Sequence, residues 1–524
     1  MSTGPTNWAT LLEEQAAEQR DKTFIHIVYQ DRSVSYKDMD LNANRIANYL
    51  LKLGAFPGDG IATLMNNSTE FLDIFFGIQK IGMYVNTVNT SLRGDQLAYT
   101  IDNSDTKYLV VDHDLLEAYM TIAIKTPKVE QVIVNTLEAP EGFKVPSGMI
   151  DLKDAYKSDT PTSKPDVTFD ENSILMLMYT SGTTGLPKGV VMRYNKNIID
   201  RIKLTAGILL TPDSVYYTAL QLFHGNALYI TLTSSLIAGC TVALSKRFSA
   251  SKFWEDIVKS GTTIFNTIGA IIPILMKQPE SPYEKNHHVE KILSAGCPAI
   301  LWEPFEKRFN VRIWEVYAAI DGSGMILNFG DGPKGSIGKP MNSIIRVVDD
   351  NGNAVPIGTT GELLFMVDPN KKSSVEYYKN PDASGEKTKG EWEYTGDLVY
   401  QDEQGFLYFV GRCTDSMRHR GENVSAYDVE QAIIKHPAVL EAAAYAVPSE
   451  MTEDEIMASI KLVDGMNLTG KEIHDFLMDK LAKFAIPRFI RILDEFPRTE
   501  TFRIKKGELK SIGVTPDSFD AERA

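Results

Sequence analysis

The pattern that most limits what this chain can fold into is an alternation of short β-rich runs with helical stretches. Ile61–Met65, Tyr108–Val111 and Val129–Val134 read as strands. Ser35–Gly54 carries Ile46, Leu50 and Leu53 at helical spacing, and Glu70–Gly82 is a second helical stretch. The alternation resumes with strands at Thr241–Ser245, Thr263–Thr267, Lys291–Ser294 and Arg312–Val316. Strands alternating with helices predict an α/β fold of parallel, doubly wound sheets. Two such halves are expected, with the polar stretch Lys164–Asp170 as the linker between them. After Gly335 the elements shorten. Ile344–Val348, Gly361–Met366 and Gly405–Val410, with a turn at Asp350-Asn351-Gly352, predict a small antiparallel unit. Beyond Arg412, helices at Ser425–His436 and Lys471–Leu481 and strands at Ala442–Val447, Ala458–Val463 and Phe489–Leu493 predict a further α/β segment.

A chain of 524 residues has room for about two to four such units. The formal net charge of −15 argues against broad nucleic-acid binding, which needs a positive surface. It leaves room for an anionic small ligand, because a local cationic pocket suffices. The N-terminus lacks a basic segment followed by an apolar core, so no signal peptide is expected. The most apolar later stretch, Tyr229–Leu244, is broken by Thr231, Thr233, Ser234, Ser235 and Gly239. It reads as a buried helix followed by a strand and not as a membrane span. Cys240, Cys297 and Cys413 show no metal-ligand spacing and are expected to be buried, reduced thiols of a cytoplasmic protein. Peripheral membrane contact and a homodimer are left open.

The apolar run Ile174–Met178 leads into YTSGTTGLPKG at Tyr179–Gly189. Glycines there let backbone N–H groups approach a phosphate, and Ser181, Thr183 and Thr184 add hydroxyl donors. Lys188 brings a positive charge to a polyphosphate. The spacing is not that of a Walker A loop, since Pro187 precedes the lysine and Gly189 follows it. Further strings follow in order: QLFHGNAL at Gln221–Leu228, SAGCP at Ser294–Pro298, YAAID at Tyr317–Asp321 and YTGD at Tyr394–Asp397. GRCTD at Gly411–Asp415, RGENV at Arg420–Val424 and PRTETFRI at Pro497–Ile504 complete the set.

In this order, from about Trp8 to Leu509, the chain resembles the acyl-adenylate-forming superfamily: acyl-CoA synthetases, peptide-synthetase adenylation domains and firefly luciferase. NTSLRGDQLAYTI at Asn89–Ile101 and RHRGEN at Arg418–Asn423 are similar to fatty-acid-transport-type and crotonobetaine/carnitine-type CoA ligases. The resemblance implies a large N-terminal domain, residues 1–412, of two doubly wound sheets plus the small β unit. A small mobile lid, residues 413–524, would hinge near Asp415. It also implies an AMP-forming acid–CoA ligase that uses ATP, Mg²⁺ and CoA on a carboxylic acid.

By the same resemblance, Thr180, Ser181, Gly182, Thr183, Thr184, Gly185 and Lys188 would hold phosphate. Gly296, Cys297 and Tyr317 would lie along adenine, Asp397 would accept the ribose hydroxyls, and Arg412 would reach the nucleotide. Asp321 would help hold Mg²⁺. His224 would stand beside the acyl tunnel, with an acyl pocket around Phe223, Tyr229, Ile268 and Ile272. Gly421, Glu422 and Asn423 would serve the thioester step. Some positions depart from the pattern, Phe502 in place of a glycine among them. Ile320 stands where a threonine usually contacts phosphate. Arg503 stands in the register of the catalytic lysine, with Lys505 and Lys506 close behind, so any of the three could be the working cation. Another acceptor, such as a carrier protein, and a nucleotide-binding member that has lost catalysis are the competing readings.

Overall fold

The computed structural model of the protein describes residues 7–180, 187–195, 198–269, 271–322, 324–367, 375–413, 416–419, 422–448, 454–499 and 503–523. The apolar runs read as strands become the interiors of two large sheets. Gly60–Leu64 and Tyr108–Asp112 are buried at every position, as parallel strands covered on both faces must be. They belong to a seven-stranded sheet that also holds Gln131–Asn135, Tyr84–Thr87 and Ile174–Thr180, all parallel, with Lys188–Arg193 antiparallel at the edge. A nine-stranded sheet carries Arg312–Ala318, Lys291–Ala295, Ile264–Ile268, Val215–Thr218, Thr241–Leu244 and Thr23–Ile27 in parallel order.

Helix ends follow the local chemistry. Ser35 caps Tyr36–Lys52 by accepting from Asp38 N, and Ser68 caps Thr69–Gln79 by accepting from Phe71 N. These helices and Trp8–Gln19 pack in one core with Phe71, Phe75, Phe76 and Trp8, whose burial contributes roughly 1.5–3 kcal/mol per large side chain. Trp8 also donates from Nε1 to Thr233 Oγ1 at 2.7 Å, satisfying both buried groups.

Three readings need adjustment. Lys164–Asp170 does not divide the two sheets. The strands Ile174–Thr180 and Lys188–Arg193 that follow it still pair in the first sheet, and Thr23–Ile27 near the N-terminus belongs to the second. Phe169 anchors this segment by packing on Tyr194, ring centroids 4.6 Å apart. The segment within Tyr229–Leu244 does form a buried helix followed by a strand. It begins, however, as a π-wound stretch, Asn226–Thr233, before the α-turns of Ser234–Ala238 and the strand Thr241–Leu244. Cys240 and Cys297 are buried, but Cys413 is exposed. Among the described residues no helix is long and apolar enough to cross a membrane.

A five-stranded antiparallel sheet follows, built from Ile345–Val348, Gly361–Met366, Trp392–Gln401, Thr388–Lys389 and Leu407–Arg412. The C-terminal domain has its own core. Val429 and Ile433 of the helix Ala426–Ile434 and Ile473 and Leu477 of Gly470–Leu477 pack against Ile456, Ile460 and Ile490 of a four-stranded sheet.

Candidate active site

The predicted motifs gather at the carboxyl ends of the parallel strands of the nine-stranded sheet, where open α/β sheets bind ligands. Ile264–Ile268 runs into Gly269 and Lys291–Ala295 into Gly296 and Cys297. These two exits touch through their backbones. A Cβ on Gly269 would sit 2.1 Å from Gly296 O, and Gly296 has φ +93°, so both positions require glycine. Beneath them lies Glu315, buried in the neighbouring strand. Its carboxylate accepts from Gly296 N and, at 3.2 Å, from Cys297 N. Burial pushes this carboxyl up to about 8 despite those donors. Sequence reading missed Glu315, although a lone acid inside the apolar run Ile313–Val316 is a signal.

Tyr317 and Asp397, eighty residues apart by number, are bonded directly: the Tyr317 hydroxyl donates to Asp397 Oδ2 at 2.5 Å. Arg412 Nε is 2.9 Å from Asp397 Oδ1. That contact is an ion pair without hydrogen-bond alignment, so the buried Oδ1 has no hydrogen-bond donor among the described residues. Burial raises the Asp397 carboxyl above its ordinary value even with Arg412 beside it. A buried acceptor with an open valence fits a sugar hydroxyl.

At the phosphate loop, Ser181, Gly182, Thr183, Thr184 and Gly185 lie outside the described residues. Its two stems are paired, with Thr180 opposite Lys188 and the Thr180 hydroxyl 3.4 Å from Lys188 O. Lys188 Nζ stands 5.3 Å over the ring of Tyr377, whose hydroxyl donates to Asp321 Oδ2 at 2.6 Å. Lys387 Nζ approaches the same oxygen at 3.4 Å. Burial would raise Asp321, but Lys387 and Tyr377 outweigh it and hold the carboxyl below its usual range, ionised. Neither Tyr377 nor Lys387 was foreseen. They arrive because the segment at 376–378 docks beside Lys188–Arg193, with Tyr378 N donating to Gly189 O at 2.7 Å and Val191 N to Glu376 O at 2.8 Å. Among the described residues no group of three His, Cys, Asp or Glu side chains is placed to hold a metal. The single ionised Asp321 nevertheless fits Mg²⁺ of the kind carried mainly by substrate phosphates, which takes one or two protein carboxylates.

The acyl-pocket candidates fall on the π-wound segment and its neighbours. His224 packs on Phe223, ring centroids 4.6 Å apart, and its buried Nε2 has no hydrogen-bond partner. Burial, and after it the charge of Arg503, push His224 down to about 4, so it is neutral at physiological pH. Tyr229 is buried and stacks on Trp8 at 6.2 Å. Ile320 does not substitute for a phosphate contact; it packs toward Gly225, where an added Cβ would meet Ile320 Cγ1 at 2.8 Å. Ile268 is partly buried against the main core, whereas Ile272 is wholly buried within it.

The three candidate cations separate. Lys505 Nζ is 2.8 Å from Glu508 Oε1, and Lys506 Nζ is 2.7 Å from Glu430 Oε1, within the C-terminal domain. Arg503 is held beside the Pro497–Thr499 backbone: Thr499 N donates to Arg503 O at 2.8 Å and Lys505 N to Pro497 O at 2.8 Å. Ile504, next in the chain, packs against Leu509 and Phe496. The Arg503 guanidinium enters the cleft within electrostatic reach of Arg412, Asp397 and His224. Protein surrounds it there, yet solvent still reaches it, as expected for a side chain in an open cleft.

Asp415 and Gly421 lie outside the described residues. Glu422 and Asn423 open a strand, Glu422–Ser425, that pairs with Ser416–His419. This hairpin is tied to the C-terminal domain, with His419 Nδ1 2.6 Å from Phe484 O and Nε2 3.3 Å from Glu455 Oε2.

A doubly wound sheet whose strand ends gather Gly296, Tyr317 and Asp397, met by a cation from the C-terminal domain, is an arrangement that fits an adenylate-forming ligase. Comparison with known proteins agrees. A family model described as AMP-binding enzyme matches residues 12–367, and one described as AMP-binding enzyme C-terminal domain matches residues 428–503. A crotonobetaine/carnitine–CoA ligase of Salmonella typhi is 29% identical over 97% of this chain and 99% of its own length. Long-chain fatty acid transport protein 6 of Mus musculus is 31% identical over 95% of this chain and 84% of its own. The crystal structure of the anthranilate CoA ligase AuaEII in complex with anthranoyl-AMP superposes with a TM-score of 0.87 at 25% identity, covering 98% of each chain. The chain belongs to the AMP-binding enzyme family, among its AMP-forming acyl-CoA ligases.

Proposed function

We propose that the protein activates a carboxylic acid with ATP, giving acyl-AMP and pyrophosphate, and then transfers the acyl group to CoA. The observation that carries this reading is the position of Arg503. Its guanidinium has no ion-pair partner among the described residues and lies in the cleft near Asp397, Arg412 and His224. A carboxylate and a polyphosphate repel each other as they approach, so a cation at this place stabilises the charge that develops between them. In this reading Asp397 accepts the ribose hydroxyls through its unbonded Oδ1 and is oriented by Tyr317. Lys188 neutralises the polyphosphate from one side of the Tyr377 ring. Asp321, bonded to the Tyr377 hydroxyl, would hold Mg²⁺, which offsets phosphate charge when bound. Neutral His224 and Phe223 border the acyl group without adding charge.

The domain boundary is proposed at Arg412–Cys413, with Asp415 as the hinge. Glu422 and Asn423, on the hairpin that travels with the C-terminal domain, are assigned to the thioester step. A panel of carboxylic acids tests the reading. Acid-dependent pyrophosphate release identifies adenylation, and AMP release that then requires CoA identifies the acceptor. Pyrophosphate release without any response to CoA would refute the acceptor assignment.

A further inference from the structure

Arg201 is a cation in the cleft to which the adenylation steps give no role. It sits on the helix Ile199–Leu209, soon after the phosphate-loop hairpin. Its Nη1 donates to Gly322 O at 2.7 Å. Among the described residues no carboxylate forms an ion pair with it within 4.0 Å, although the charge of the buried Glu393 carboxylate, beside Gly322, is felt there. Solvent reaches the side chain although protein surrounds it, so it is not sealed in the core.

What lies beside it follows from the backbone. Gly322 lies two residues beyond Ile320, and Ile320 packs toward Gly225. A Cβ on Gly225 would lie 2.8 Å from Ile320 Cγ1 and 3.2 Å from Tyr229 Cδ2. The guanidinium is therefore held beside the wall that carries the acyl-pocket candidate Tyr229. Tyr229 is 4% exposed, and its hydroxyl has no hydrogen-bond partner among the described residues. The charge of Arg201 is felt at that phenol. A purely hydrocarbon tail placed here would desolvate a phenol hydroxyl and a guanidinium bonded only to Gly322 O, and would offer neither a further acceptor, which is unfavourable.

We propose that Arg201, with the Tyr229 hydroxyl, selects acids whose tail carries a second oxygen function, a carboxylate foremost. The selection rests on the ligase reading above and deepens it. A planar guanidinium with its N–H donors matches a carboxylate fork better than any neutral group.

The test uses full-length enzyme and matched acids: hexanoate with adipate, and benzoate with terephthalate, each with its hydroxy-acid counterpart. Pyrophosphate release gives kcat/KM for each. The wild type should favour the dicarboxylate over its plain partner by about tenfold or more, with the hydroxy acid between them. Arg201→Met should erase that ratio and Arg201→Lys should keep part of it. A wild-type preference for plain acids overturns the proposal. So does an equal loss on every acid in Arg201→Met, which would make Arg201 a prop for Gly322. If the Met variant does not fold, as judged by thermal unfolding, the wild-type ratio and the Lys variant decide. Absence of pyrophosphate with every acid refutes the ligase reading and this inference together, whereas release without the preference refutes only this one.

Discussion

Replacing Arg503 with alanine should slow acyl-adenylate formation by about 10²-fold or more. Removing one preorganised donor from a developing charge costs roughly 2.7–4 kcal/mol of transition-state stabilisation. The neighbouring lysines give no easy rescue. Lys505 is engaged by Glu508 at 2.8 Å and Lys506 by Glu430 at 2.7 Å. The Glu430 side chain is only 14% exposed, and its Oε1 also accepts from Ala444 N. Pulling Lys506 away would leave that carboxylate under-compensated, a cost of about 1–3 kcal/mol. Arg503→Lys should recover part of the rate, since it restores the charge on a shorter arm without the planar fork. The assay is single-turnover pyrophosphate release beside thioester formation from supplied acyl-AMP, for Arg503→Ala, Lys505→Ala and Lys506→Ala. Loss confined to adenylation and to Arg503→Ala supports the assignment. Loss in Lys506→Ala with a normal Arg503→Ala would refute it, as would equal damage to both half-reactions.

Asp397→Ala should weaken ATP use by about 1.5–3 kcal/mol, the scale of a charged hydrogen-bond pair; an unchanged KM for ATP would remove Asp397 from the site. Gly269→Ala must push the added carbon against Gly296 O, 2.1 Å away. It should cost about 1–3 kcal/mol of stability in denaturant titration, and an unchanged midpoint would contradict that close approach. His224 is depressed from 6.5 to about 4, so it is neutral when folded while the unfolded chain takes up its proton near 6.5. Its contribution to stability is therefore complete above that pH and is lost as pH falls toward 4. The thermal midpoint should drop more steeply over this range in the wild type than in His224→Gln, and parallel curves would contradict a buried neutral imidazole. Asp415→Pro should impair one half-reaction more than the other by restricting φ at the hinge; equal effects on both would argue against a hinge there.

The parallel strands were readable because burial on both faces writes them as continuous apolar runs, as at Gly60–Leu64 and Tyr108–Asp112. The motif strings located Tyr317 and Asp397 separately, but their hydrogen bond joins residues far apart in the chain and has no local signature. The same holds for Tyr377 and Lys387 beside Asp321, which reach the site only because another segment docks against Lys188–Arg193. The exchange of strands between the two sheets was hidden too. A polar stretch such as Lys164–Asp170 resembles a boundary whether or not the next strand changes sheet, and only the pairing of Val85 with Met176 shows that it does not. The π-winding of Asn226–Thr233 escaped because an apolar run signals burial, while the helical period within it depends on packing. Which of Arg503, Lys505 and Lys506 is free was equally unreadable, since the acids that occupy the lysines are set by the C-terminal fold.

Arg503 belongs to the C-terminal domain, while Arg412, Asp397 and His224, within its electrostatic reach, belong to the N-terminal one. On the proposed assignment, the activating charge is a tethered reagent delivered by a separate cassette, at the high local concentration that a covalent link provides. Recognition of the acid and supply of the charge are then separable by recombination. Grafting residues 413–524 onto the N-terminal portion of a relative should transplant the arginine chemistry while leaving that relative's choice of acid in place.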